Sequence, residues 1–339
     1  MVTKRTKWVG AAVGLAGIAS AAATWEVTRR RNLAELQRDP DRDVLHAPLP
    51  GIGRTVVSGD GTRLAVWEAG PLDGPIVVFA HGWGMGVRFW IHQMRDLAAD
   101  HRVIAYDQRG HVASAKPANG DYSSEALGAD LEAVLRACVP AGRQALVVGH
   151  SMGGMSIIAW ADGHAGPVEE RIHGAILADT GVDELTSTFF TELGVAKFVA
   201  DTIGLRAFTS RLPLPHGPSP VSHRATSYVA LGPDAPPSAI ALTEQLFLDS
   251  PADVRSAIGL TISRLDLAHG VAKLTVPTTV VVGTEDKLTP PVHSQRLVET
   301  LPDAELVEFE GAGHQAPLER HDDFTKLVRQ RAAQAPDGR

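Results

Sequence analysis

Cysteine is almost absent: Cys138 is the only one in 339 residues, which excludes a disulfide framework and any multi-cysteine metal site. Long basic runs are absent too. With a formal net charge of −7, nucleic acid is excluded as the main partner. No dinucleotide glycine fingerprint, phosphate-binding loop or metal-ligand motif occurs, so no cofactor and no metal are expected. What remains is 44% hydrophobic and 21% charged, the composition of a folded globular body. The length suits one large domain with an insertion, or two ordinary domains.

Charge is divided unevenly along the chain. Residues 1–45 carry a balance of +3 and the remainder −10. Between the basic clusters, Trp8 to Trp25 is uncharged, rich in Ala, Gly and Val, and has a Trp at each end. That length just spans a bilayer, and the two Trp residues stand where interfacial aromatics belong. Residues 1–25 are therefore expected to be a membrane anchor, with membrane association through residues 8–25. Two alternatives stay open. Ala21-Ala22-Ala23 could serve as the cleavage site of a signal peptide for a secreted protein, although Arg29-Arg30-Arg31 would hinder export. A soluble Ala-rich helix is the other, because Ala and Gly are weakly hydrophobic. Residues 26–50, charged and then Pro-bearing, read as a linker.

From about Gly51 to residue 335 the pattern is regular. Ser58-Gly59-Asp60-Gly61 marks a turn between two β-type runs, so the body opens with a hairpin. Short apolar runs follow at Ile76–Phe79, Val103–Tyr106, Ala145–Val148, Ala175–Ala178, Thr279–Val282 and Glu305–Phe309, of the kind that fill buried parallel strands. Amphipathic stretches such as Ser124 to Cys138 and Pro291 to Leu301 lie between them. Alternation of this kind predicts an α/β fold with a mostly parallel, doubly wound sheet. Residues 181–273 break the rhythm with helix-like pieces (Glu192 to Ala200, Ala239 to Leu248, Ala252 to Leu260) and Pro-rich breaks. They read as a helical cap inserted over the carboxyl ends of the strands, where ligands bind in such sheets.

Gly149-His150-Ser151-Met152-Gly153 follows one of these strands and precedes a helix-compatible run, the context of a G-x-S-x-G nucleophile elbow. A neutral hydroxyl needs a base, and the base needs an orienting acid. Of fourteen His residues, His314 stands in a Gly-rich loop directly after the last strand run, at the same carboxyl edge as Ser151. The others have plainer settings: His92, His101, His164, His173 and His293 lie in or beside polar helical stretches, and His321 lies in a terminal helix. Asp286 follows the strand ending at Val282 and completes the order Ser151, Asp286, His314. Asp179 is the rival acid and Glu285 a weaker one. Negative charge on an attacked carbonyl needs waiting donors. The backbone N–H groups of Met152 and of Trp83, in His81-Gly82-Trp83-Gly84, are the expected pair, with His81 bracing its loop.

These motifs, taken with Asp107-Gln108-Arg109-Gly110-His111 and Gly283-Thr284-Glu285-Asp286, make the chain resemble the α/β-hydrolase superfamily from about Arg54 to Arg331. One departure stands out: the loop after Asp107 has Val112 where the family pattern has a second Gly. Ser at the elbow sets the chain apart from epoxide hydrolases and haloalkane dehalogenases, which carry Asp there. The resemblance is to carboxylesterases, lipase-like enzymes and cofactor-free haloperoxidases, whose Ser, Asp and His map onto Ser151, Asp286 and His314. It implies hydrolysis of carboxylic esters, lipid-like ones included, through an acyl-enzyme. Thioesterase, carbon–carbon hydrolase and perhydrolase activities use the same triad, and the fold can also bind ligands without catalysis.

Overall fold

The computed structural model describes residues 23–163, 166–185, 188, 209–211, 214 and 217–335. Its centre is an eight-stranded sheet in the order β1-β2-β4-β3-β5-β6-β7-β8, formed by β1 (Ile52–Val57), β2 (Arg63–Ala69), β3 (Ile76–Ala80), β4 (Arg102–Tyr106), β5 (Ala145–His150), β6 (Ile172–Ala178), β7 (Thr278–Gly283) and β8 (Ala304–Phe309). The opening hairpin β1–β2 and the β2–β4 pair are antiparallel, and all later pairs are parallel. The expected strand runs all lie in this sheet, most of them a residue or two longer than their apolar cores. His173, expected beside a helix, lies on β6.

Strand alternation divides the core into two layers. Val78, Ala80, Ile104, Tyr106 and Val147 face one side, where they pack with α4 (Ser124–Cys138) and α5 (Met152–Gly163). Val77, Phe79, Val103, Ala105 and Val148 face the other, against α3 (Ile91–Leu97) and α12 (His321–Ala332). Each large side chain buried here contributes about 1.5–3 kcal/mol, so the middle strands can be apolar on both faces. Helix α4 covers the expected residues, with the Ser123 hydroxyl accepting from the Ala126 N–H as its N-cap, and α10 (Pro291–Thr300) covers the stretch expected after β7.

Residues 26–50 differ from the expected linker. A helix over 23–38, α1, leads into α2 (Arg42–His46), with Leu45 buried and Leu36, Val44 and Leu49 packed on the second core layer. The Arg88 guanidinium donates to the Leu45 and Ala47 carbonyls, both at 2.9 Å, and the Ser238 N–H donates to Asp39. Helical spacing of a few apolar residues within a charged segment was enough to dock it. The expected anchor at residues 8–25 falls almost wholly outside the described residues. Among those described, no helix is long and apolar enough to cross a membrane.

Between β6 and β7 the described insertion is helical: α6 (Pro220–Ala230), α7 (Pro237–Asp249), α8 (Ala252–Ser263) and α9 (Ala268–Val271). The piece expected at Glu192 to Ala200 lies outside the described residues. The first turn of α6 is held by a capping box between Ser219 and Ser222, and Glu244 on α7 accepts from both the Ser219 N–H and the Ser222 hydroxyl. A cavity of about 350 Å³ is lined both by this insertion, through Val229 and Phe247 among others, and by residues that follow β3, β5, β7 and β8, namely Trp83, Ser151, Leu288 and His314.

Candidate active site

Ser151 occupies the turn between β5 and α5 with φ +51, in the left-handed region that a side chain rarely adopts. Hydrogen bonds to the Ser151 backbone stabilise the strained turn: its N–H donates to Ala178 O (2.9 Å), and the Thr180 hydroxyl donates to its carbonyl (2.8 Å). The flanking glycines are required by close approach. A Cβ on Gly149 would lie 2.5 Å from the Gly153 carbonyl carbon, and one on Gly153 would lie 2.1 Å from the Ala80 carbonyl oxygen.

His314 follows β8 in the loop before α11 (Ala316–Glu319). Its Nδ1 lies 2.9 Å from Asp286 Oδ2, which leaves Nε2 as the lone-pair nitrogen when the histidine is neutral. Asp286 is fixed in turn. Its Oδ1 accepts from the N–H groups of Leu288 (2.8 Å) and Thr289 (3.0 Å), and its Oδ2 accepts from the Thr289 hydroxyl (2.8 Å). The carboxylate therefore holds a fixed orientation. The structure brings Ser151, His314, Trp83 and His150 together around the cavity, with Asp286 behind His314.

The rival acids do other things. Asp179, fully buried at φ +48, accepts from the Gly283 N–H (2.9 Å) and the Ala316 N–H (3.1 Å), and makes no hydrogen bond to His314. Burial, and then the nearby charge of Asp286, push its carboxyl well above the ordinary range. Glu285 is exposed.

Met152 opens α5, and Trp83 lies in the turn after β3. His81 braces that turn through its two ring nitrogens: Nδ1 meets Gly82 O at 2.8 Å, and Nε2 accepts from the Gln108 N–H at 2.9 Å. His111 Nε2 accepts from the Gly84 N–H at 3.1 Å. Both rings are buried and held neutral; burial lowers His81 strongly and brings His111 to about 4. His150 is also lowered by burial, and its Nε2 donates to the His314 carbonyl at 2.7 Å. Val112, the departure from the family pattern, adopts the glycine-like φ of +39 with its side chain 72% exposed. The loop thus keeps its path despite the substitution. Asp107 holds it from inside, accepting from the Val87 N–H (2.8 Å) and the Ala113 N–H (3.1 Å), and burial lifts its carboxyl to about 6.

Two contributors escaped the sequence reading. Thr289 bridges the acid and the base, and its place three residues after Asp286 was the available signal. Glu319 accepts from the N–H groups of Gly313 and Gln315, on either side of His314, and from Gly232 in the insertion. Nothing near Glu319 in the sequence points to that role.

Around the cavity, Trp83, Met85, Met155, Val229, Phe247 and Leu288 make most of the wall apolar. Its described lining holds no Asp, Glu, Lys or Arg.

This sheet, elbow and insertion define an α/β hydrolase, and the chain belongs to the α/β hydrolase fold family, whose model matches residues 75–320. Among its relatives, a non-heme chloroperoxidase of Streptomyces lividans is 28% identical over 272 residues, covering 77% of this chain and 92% of that protein. A bifunctional esterase/perhydrolase of Acinetobacter calcoaceticus is 24% identical, covering 80% and 96%. Among solved structures, a thermophilic esterase from Thermogutta terrifontis matches with TM-score 0.66 at 22% identity, covering 84% of this chain and 99% of that one. At that identity the structural match speaks for the fold.

Proposed function

We propose that the protein is a serine esterase that cleaves neutral carboxylic esters with apolar acyl or alcohol groups. The observation that carries this reading is the His314–Asp286 hydrogen bond beside an elbow serine, next to a cavity whose described lining is mostly apolar and holds no acidic or cationic side chain. Ser151 Oγ attacks the ester carbonyl while His314 Nε2 takes its proton, and Asp286 keeps the imidazole in the required tautomer and offsets its charge. Backbone N–H groups of Trp83 and Met152 receive the developing oxyanion. His314 then protonates the departing alcohol. Water, deprotonated by His314, releases the acid from Ser151.

A panel of p-nitrophenyl esters of rising chain length tests this. Wild type is expected to hydrolyse them, Ser151→Ala to lose at least about 10⁴-fold in kcat, and Asp286→Asn to keep about ten- to a hundredfold more rate than Ser151→Ala. Undiminished hydrolysis in Ser151→Ala sinks the proposal, as does failure of a fluorophosphonate probe to label Ser151.

The chloroperoxidase and perhydrolase relatives favour one second reading, in which hydrogen peroxide replaces water and the acyl-enzyme yields a peracid. Peracid formation from acetate and peroxide, lost in Ser151→Ala, is its test. Thioesters and carbon–carbon substrates belong in the same panel. Lipid-like esters as substrates rest on the sequence of residues 8–25. Wholly soluble fractionation of the intact full-length chain removes that extension and leaves the esterase reading standing.

A further inference from the structure

Apart from the catalytic residues, Asp41 ahead of α2, His92 on α3 and His321 at the start of α12 meet with their ligand-type atoms all within 4.8 Å of one another. All three are half-buried. They adjoin a cleft of about 460 Å³ lined by Val44, Pro50, Arg95, Asp96, Asp322 and Thr325 besides the two histidines.

His321 has a carboxylate at each ring nitrogen: Asp322 Oδ1 lies 3.2 Å from Nδ1, and Asp41 Oδ2 lies 3.0 Å from Nε2. A neutral imidazole carries one N–H, so it can satisfy one of these contacts as a donor while the other sets lone pair against lone pair. Something positive must sit at the second contact, either another proton or a bound cation. The His92 ring stacks on His321 with centroids 4.1 Å apart and planes 13° from parallel.

We infer that Asp41, His92 and His321 form a binding site for a zinc-class divalent cation that clips the entering chain to the body. Two imidazoles and a carboxylate are the donor set of such ions, with the fourth position left to water. Asp322 would then take the His321 Nδ1–H, the outer carboxylate contact that histidine ligands commonly make. Zinc bonds of about 2.0–2.1 Å place tetrahedral ligand atoms roughly 3.4 Å apart with the metal in each ring plane, so binding requires these half-exposed rings to turn out of their stack until their lone pairs converge. The three residues lie up to 280 positions apart, so no local spacing could have announced them.

The test uses the untagged full-length chain freed of metal with EDTA. Calorimetric titration with zinc chloride is expected to show one site per chain, tighter than about 100 μM, and a zinc-dependent rise in melting temperature that magnesium does not reproduce. Asp41→Asn should weaken binding by about tenfold or more, and His92→Ala/His321→Ala should abolish it. Ester hydrolysis should change less than about twofold in each. His92→Gln alone serves if the double variant fails to fold. Absence of one-to-one zinc binding in wild type, or binding unchanged in the histidine variants, overturns the inference. Loss of esterase activity in wild type would overturn the proposed function and leave this result unaffected.

Discussion

The two halves of the site are held in place by different physics. On the Ser151 side, geometry is imposed by steric fit: a strained backbone, glycines with no room for a Cβ beside neighbouring main chain, and a backbone hydrogen bond to β6. On the His314 side, three buried carboxylates do the work. Asp286, Asp179 and Glu319 accept backbone N–H groups from the loops after β7 and β8 and from the insertion. The first half should therefore respond to added atoms and ignore pH, whereas the second should tolerate shape-preserving changes poorly once charge or acceptor count is altered.

The largest expected effect on folding comes from Gly153→Ala. Its methyl would lie 2.1 Å from the Ala80 oxygen, and unfolding in urea should show a loss of about 3–5 kcal/mol or no folded protein at all. A near-neutral result would break the steric half of the contrast.

Next is Glu319→Gln, which keeps the shape but replaces one acceptor oxygen with a donor. One of the N–H groups of Gly232, Gly313 or Gln315 is then left facing an amide, at a cost of about 1–3 kcal/mol. Because those groups frame His314, kcat should fall more than KM rises. Equal stability and kcat in the variant would mean that the loop is held by something else.

Asp179→Asn sharpens the contrast through pH. The folded carboxyl lies above its unfolded value, so its contribution to stability is fully present below the unfolded value and is lost as pH rises through the folded one. Asparagine does not ionise. Stability plotted against pH should therefore decline for wild type above its ordinary carboxylate range, relative to the variant; parallel curves would remove Asp179 from the account.

The smallest effect is expected at Val112→Gly, where relief of the positive φ and loss of backbone restraint nearly cancel. A stabilisation below about 1 kcal/mol in thermal melts fits. Destabilisation by several kcal/mol would show that the Val112 side chain contributes packing that its exposure hides.

The sheet was legible in the sequence because parallel strands buried on both faces leave apolar runs, and α4 because its cap and amphipathic period coincide. That Ser151, Asp286 and His314 come to one edge of the sheet could be read because each follows a strand. The packing of residues 26–50 was not legible: Leu36 and Leu45 are ordinary in a charged segment until the second core layer receives them. Glu319 and Thr289 act on backbone or side chains brought close by folding, and Glu319 has no motif around it. Asp179 illustrates the converse, a strand-end acid well placed in sequence whose two oxygens are taken up by Gly283 and Ala316.

His150 gives the site a ruler. It is bonded covalently to Ser151 and reaches the carbonyl of His314 through one imidazole, so two residues 163 positions apart in the chain are separated by a rigid aromatic ring of set dimensions. Loops at this edge can lengthen, shorten or drift with the insertion while that ring keeps the gauge between Ser151 and His314.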